Sequence, residues 1–253
     1  MTDLSPTRAR AIVERFEPLT VLVVGDVMID HFLIGQVERI SPEAPIPVIA
    51  FDHEEYRIGG AANVANNVRS LGGRVSLVGA IGADEPGQQL LSELRSAAID
   101  TTGIIVASDR PTTRKLRIVA SRNKQVARID FETESELAPK YAQELLAHQS
   151  EAAEKADIIV VSDYLKGVIT SELMTQTLSA SLARGVPILV DPKIPHLDFY
   201  AGCTLLTTNH HEASPATNSV IHTDAEAQQA ARSPVSYTHL RAHETDSYLV
   251  CRL

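Results

Sequence analysis

Short runs of consecutive apolar residues alternate along the chain with stretches whose apolar positions recur every three or four residues. Thr20–Asp26 (TVLVVGD), Arg74–Gly82 (RVSLVGAIG), Ala156–Asp163 (ADIIVVSD) and Val186–Asp191 (VPILVD) are continuous and rich in β-branched residues. Runs of that kind suit strands of a parallel sheet covered on both faces. Between them, Ala61, Val64, Ala65, Val68 and Leu71 form one stripe at helical spacing, stopped by Gly72 and Gly73. Asp84 is placed to cap a further helix, with Pro86 in its first turn and Leu90, Leu91 and Leu94 turned inward. Helical patterns near Leu137–Glu154 and Ser171–Arg184 each precede a strand. The rhythm predicts an α/β fold with an open, doubly wound, mostly parallel sheet.

Two segments break the rhythm. Ile46–Phe51 (IPVIAF) reads as a short strand, and Thr112–Glu132 as two strands around the polar turn Ser121–Lys124. In the first of those two, Leu116, Ile118 and Ala120 fall on one face and Thr113, Lys115 and Arg117 on the other. Strands at about 46–51 and 112–132 predict a small β-sheet outside the main layer, in the manner of a lid.

With 253 residues, 44% of them apolar and 22% charged, the chain is long enough for a sizeable core. A formal charge of −9 disfavours general binding to nucleic acid or to an anionic membrane, though not a local basic pocket. The two cysteines, Cys203 and Cys251, form no C-x-x-C, which fits a reducing cytoplasm. The first residues hold no apolar core of a signal peptide, and no run approaches the ~20 apolar residues of a membrane span.

Candidate chemistry clusters at strand ends. Asp26 and Asp30, in Gly25–Phe32 (GDVMIDHF), follow the first strand, where open α/β sheets bind ligands. Carboxylates there suit sugar hydroxyls; by position alone they suit a turn and a helix cap equally. No G-x-G-x-x-G follows that strand, which disfavours a dinucleotide enzyme. Gly59 and Gly60 open the helix that carries Asn63. Glycines admit a ligand against main chain, a helix N-terminus offers free N–H groups, and an amide both donates and accepts. Alone, the pair reads more readily as a turn. Lys115 and Arg117, with Arg128 on the next strand, offer fixed cations to a phosphate, or else protect an exposed edge. Asp163 and Lys166, and Asp191 and Lys193, stand at two further strand ends. The adjacent His210 and His211 raise a zinc reading, but no histidine follows Glu212 at the required spacing. His239 and His243 lack an accompanying cysteine pair.

Gly59, Gly60, Ala61, Asn63, Ala65, Gly72 and Gly82 fall at the spacing of the N-terminal signature of the ribokinase-like, or phosphofructokinase-B, carbohydrate kinases. The chain resembles that family from about Pro18 to Arg232. The resemblance implies a ribokinase-like fold in which Asp30, Gly59, Gly60 and Asn63 face the sugar. It also raises the case for Lys115, Arg117 and Arg128 as phosphate ligands. Asn209 and Glu212 match the family's N-x-x-E motif. The resemblance so implies ATP and Mg²⁺ as cofactors, with Asn209, His210, His211, Glu212 and Lys193 on the nucleotide side and Glu212 toward the metal. Arg39–Val48 (RISPEAPIPV), Ser162–Gly167 (SDYLKG) and Val190–Lys193 (VDPK) resemble one branch of the family, the kinases that phosphorylate O1 of D-glycero-D-manno-heptose 7-phosphate for the lipopolysaccharide core. Other readings are a kinase for a different phosphosugar and a sugar-phosphate-binding module without catalysis. The resemblance also implies a homodimer through the lid.

The family's later G-A-G-D motif, which carries its catalytic base, has no counterpart after Glu212; Asp224 and Asp246 lack flanking glycines. Residues 233–253 show no helix or strand period and read as a non-native tail. The expectation is a partial kinase domain over 1–232, short of its C-terminal part, with an uncovered sheet edge, a tendency to aggregate and little or no turnover.

Overall fold

The computed structural model of the chain describes residues 5–120, 124–208, 223, 226, 242–245 and 248–252. A short helix, α1 (Pro6–Val13), is capped by the Ser5 hydroxyl and leads into β1 (Thr20–Gly25). The main sheet continues with β4 (Arg74–Gly82), β5 (Ile104–Ala107), β8 (Ile158–Ser162), β9 (Ile188–Asp191) and β10 (Leu205–Thr208). Its order is β10-β9-β8-β1-β4-β5 with every neighbouring pair parallel. The helices α2 (Ala61–Ser70), α3 (Glu85–Ser96), α4 (Pro139–Ala153) and α5 (Ser171–Arg184) supply the crossovers.

Side-chain alternation along β1 builds a core on each face. Leu22 and Val24 join Ile159, Val161, Leu145 and Leu173 in one buried cluster, under α4 and α5. Val21 and Val23 join Leu77, Ala61, Ala65, Leu90 and Leu94 in the other, under α2 and α3. This two-sided burial is why the strands read as unbroken apolar runs. Asp84 caps α3 by accepting the Gly87 N–H at 3.0 Å, as its position predicts. It also accepts the Thr112 N–H at 2.9 Å, which ties the entry to the second sheet onto α3. Leu71 departs from the expected stripe. The helix ends at Ser70, so Leu71 leaves the periodic face and is exposed.

A second sheet has the order β3-β2-β6-β7, from β2 (Val27–Ile40), β3 (Pro47–Gly60), β6 (Arg114–Ala120) and β7 (Lys124–Phe131). The small lid sheet is present, but larger than its apolar segments suggest. The segment after Gly25 forms no helix cap; it is a 14-residue strand. The short strand at 46–51 runs on through the polar stretch to Gly60. Away from its root this sheet is open to solvent, and β7 is exposed throughout, so charged residues sit in strand without an apolar partner position. A register shift after Ile118 breaks the expected alternation of β6, and Val119 and Ala120 are both buried.

The expected bare edge is also different. Residues 242–245 (β11) and 248–252 (β12) form an antiparallel hairpin, and β12 pairs antiparallel with β10. Within the tail that showed no strand period, these two strands extend the main sheet to the order β11-β12-β10.

Candidate active site

The root of β2 and β3 meets the carboxyl edge of the main sheet, and a cleft of about 930 Å³ opens there. Met28, Asp30 and Phe32 alternate toward it from β2, with Gly59 and Gly60 opposite on β3 and Asn63 in the first turn of α2. Lys115 and Arg117 reach it from β6. The structure therefore brings together six of the predicted residues: Asp30, Gly59, Gly60, Asn63, Lys115 and Arg117. Arg128 stands opposite Arg117 in register but outside the cleft lining, with its Nε 3.0 Å from Asp130. Asn209, His210, His211 and Glu212 follow Thr208 in sequence and lie outside the described residues.

The glycines have distinct physical tasks. Gly60 has φ +57° and ψ −140°, a region open essentially to glycine alone. A Cβ there would lie 2.3 Å from the Asp26 carbonyl oxygen. At Gly59 a Cβ would lie 3.1 Å from Asp30 Oδ2 and 2.8 Å from Met28 Cγ. The bend and the carboxylate thus share one floor, with bare main chain beside an acceptor.

The charged residues neutralise one another. Arg117 Nη1 donates to Asp30 Oδ1. Lys115 Nζ lies 3.5 Å from Asp130 and 3.3 Å from Glu132. Glu132 is shared with Lys166, at 2.9 Å. Burial alone would raise the Glu132 carboxyl, but its bonds to Lys166 and Lys115 hold it below the usual carboxylate range. This chain of charges joins β6, the exit from β7 and the loop after β8.

Asp26, a candidate sugar ligand by position, is spent elsewhere. It is buried and accepts the N–H groups of Tyr164, Lys166 and Val168 at 2.8, 3.1 and 3.1 Å. Burial raises its pKa against those three bonds. Its task is to fold the 163–168 loop, which presents Tyr164 to the cleft. Asp163, fully buried, fastens the other side of that loop. It accepts the Leu165 N–H at 2.7 Å, meets His196 Nδ1 at 2.6 Å and accepts the Tyr200 hydroxyl. His196 and Tyr200 belong to a 3₁₀ helix over Ile194–Tyr200. Lys193, just before it, holds its Nζ 5.7 Å from the centre of the Tyr164 ring.

Sequence reasoning missed Phe32, Arg57 and Tyr164, all of which line the cleft. Tyr164 lies within Ser162–Gly167 (SDYLKG), a segment that already stood out, and could have been found there. Arg57 and Phe32 needed the strand register. Among the described residues no group of three or more His, Cys, Asp or Glu is placed to hold a metal, and no helix is long and apolar enough to cross a membrane.

A doubly wound parallel sheet with a β lid over a polar cleft, floored by main chain and a carboxylate, is the architecture of a small-molecule-binding α/β domain. The chain belongs to the pfkB family of carbohydrate kinases, whose members are phosphotransferases; the family match covers residues 19–239. It is 43% identical over 206 residues to the bifunctional protein HldE of Geobacter sulfurreducens, covering 81% of this chain and 42% of that protein. It is 42% identical over 221 residues to the bifunctional protein HldE of Gluconacetobacter diazotrophicus, covering 87% and 46%. The chain thus spans a little under half the length of these relatives. Among solved structures, the tetrameric inhibited form of phosphofructokinase-2 from Escherichia coli superposes with a TM-score of 0.66 at 21% identity, over 86% of this chain and 70% of that one. Arabidopsis thaliana ribokinase complexed with ribose and ATP gives 0.62 at 18% identity, over 84% and 67%. These two likenesses are of fold.

Proposed function

We propose that the cleft binds a phosphorylated sugar and that the chain carries the sugar-binding part of an ATP-dependent kinase. The best reading of its reaction is phosphorylation of D-glycero-D-manno-heptose 7-phosphate at O1. The observation that carries the reading is the shared floor: the Asp30 carboxylate, the Gly59–Gly60 bend and the cations Lys115 and Arg117 line one cleft. Similarity to proteins named HldE supports the heptose branch.

In this reading Asp30 accepts hydrogen bonds from sugar hydroxyls and Asn63 donates and accepts beside it. Gly59 lets the ring lie against main chain. Lys115 and Arg117 trade their carboxylate partners for the substrate phosphate, whose doubly charged oxygens suit a guanidinium fork. Positioning of this kind is a large part of phosphoryl-transfer catalysis, because the enzyme supplies little covalent chemistry. Asn209, His210, His211, Glu212 and Lys193 would lie toward the nucleotide. Glu212 is a donor suited to Mg²⁺ that keeps most of its water, and the metal would offset charge on the transferring phosphoryl group. The large exposed apolar side chains of the lid, Ile40, Ile46 and Phe51, support a homodimer through that sheet. The enzyme would act in the cytoplasm, where ATP is supplied.

The test is calorimetric titration of the chain with heptose 7-phosphate, fructose 6-phosphate and unphosphorylated heptose. Tightest binding of heptose 7-phosphate is expected. Preference for fructose 6-phosphate would transfer the reading to another phosphosugar, and absence of binding by all three would overturn it.

A further inference from the structure

The cross-strand register of the lid sorts its charges into two rows on one face. Arg57, Asp30, Lys115 and Asp130 stand opposite one another across β3, β2, β6 and β7. The next row outward is Glu55, Phe32, Arg117 and Arg128. The rows are two residues apart on each strand, so they share a face, with about 7 Å between them.

Arg57 does not stay in its own row. Its guanidinium carbon lies 4.6 Å from the centre of the Phe32 ring, and that of Arg117 lies 5.2 Å from the same ring. Two like charges so converge beside one aromatic side chain at the cleft. The carboxylate partner of Arg57 is the exposed Glu55, at 2.9 Å, a pair of low worth in solvent. Lys115, by contrast, is mostly buried and held by two carboxylates, and Arg128 is bonded to Asp130 outside the cleft.

From this convergence we infer that Arg57, paired with Arg117 over Phe32, forms the subsite for the substrate's phosphate, and that Arg128 has no part in it. The inference rests on the proposed sugar-phosphate cleft and adds its polarity. Hydroxyls lie at the inner end, against Asp30 and Gly59. The phosphate lies one row further out, so the site selects sugars whose phosphate is several bonds from the hydroxyls at the floor. The Phe32 ring attracts both guanidiniums and so holds them near one place, where both can meet a dianion.

The experiment is titration of heptose 7-phosphate and unphosphorylated heptose into the unaltered chain and into Arg57→Ala, Arg57→Lys and Arg128→Ala, with circular dichroism to verify folding. Arg57→Ala is expected to weaken heptose 7-phosphate about tenfold or more. Unphosphorylated heptose should be left within about twofold, with partial recovery in Arg57→Lys and no change in Arg128→Ala. If the unaltered chain binds heptose 7-phosphate and Arg57→Ala binds it equally well, or loses both sugars alike, the Arg57 assignment fails alone. If the unaltered chain binds no phosphorylated sugar, the proposed function fails and takes this assignment with it.

Discussion

Arg117 on β6 is bonded through its guanidinium to the Asp30 carboxylate on β2, so the cation expected to meet phosphate and the acceptor expected to meet hydroxyls satisfy one another. Both are mostly buried. A sugar phosphate must separate them, giving each a new partner. Asp30→Asn removes the competing charge from Arg117 while weakening the hydroxyl site. The expected result is inorganic phosphate bound about two- to fivefold more tightly, the range of a partly exposed pair, with heptose 7-phosphate bound more weakly. Calorimetry at low and high salt checks both, and the phosphate gain should shrink with salt.

The two glycines should separate stability from binding. At Gly60 an added Cβ meets a backbone carbonyl at 2.3 Å, and the positive φ is one that only glycine adopts readily, so nothing can move cheaply. Gly60→Ala is expected to cost about 1–3 kcal/mol or more, a fall in Tm of roughly 2–4 °C per kcal/mol for a domain of this size. At Gly59 the close atoms are side chains, Met28 Cγ and Asp30 Oδ2. Gly59→Ala should keep most of the stability and lose sugar binding, because the floor rises and Asp30 is displaced. Thermal unfolding and titration of each variant distinguish the two effects.

The Lys115–Glu132–Lys166 chain gives a pH signature. The folded Glu132 carboxyl is held below its unfolded value of 4.5, so the unfolded state binds more protons there. Its contribution is present above about 4.5 and is lost as pH falls below that value through the depressed folded one. Lys166 is raised above 10.5, because its bonds to Glu132 and Glu134 outweigh burial; its contribution is present below that pH and is lost as pH rises through the folded value. Glu132→Gln should flatten the acid limb of a urea-midpoint profile as pH falls below 4.5. An acid limb unchanged by the substitution would remove this pair from the lid's anchorage.

Tyr200 is fully buried and donates its hydroxyl to Asp163. Burial and the neighbouring carboxylate push the phenol far up, so it remains a donor at ordinary pH. Tyr200→Phe leaves a buried carboxylate with one donor fewer, at an expected cost of about 1–3 kcal/mol by chemical denaturation. Because Asp163 holds the loop that carries Tyr164, the same variant should also weaken sugar binding.

Legibility in the sequence followed the range of the forces involved. The strands Thr20–Gly25, Arg74–Gly82, Ile158–Ser162 and Ile188–Asp191 were legible because burial on both faces leaves an unbroken apolar run. The helix expected near Ser171–Arg184 is present over those residues, ended by Gly185 in the left-handed conformation. The helix α1 was missed, having no buried residue to set a period. The outer halves of β2 and β3 were hidden for a related reason: solvent on both sides removes the alternation that marks a strand.

What the sequence determined by itself was the α/β class, the lid strands and the bend at Gly59 and Gly60, each a matter of local period or of one residue's conformational freedom; Asp30 stood out only through the family resemblance. The tertiary structure alone decided which charges meet. Register shifts at Ile34/Gly35 and Val37/Arg39 offset one another, so Asp30 meets Arg57 in the register that Ile40 and Pro47 set at the turn, but only the paired strands show that the polar stretch between them continues the ladder. Asp26 turned inward to three N–H groups some 140 residues away, while Asp30, four positions later, faced the cleft. Identical side chains took opposite tasks because desolvation and partner geometry, which exist only once distant strands are packed, set what a carboxylate does.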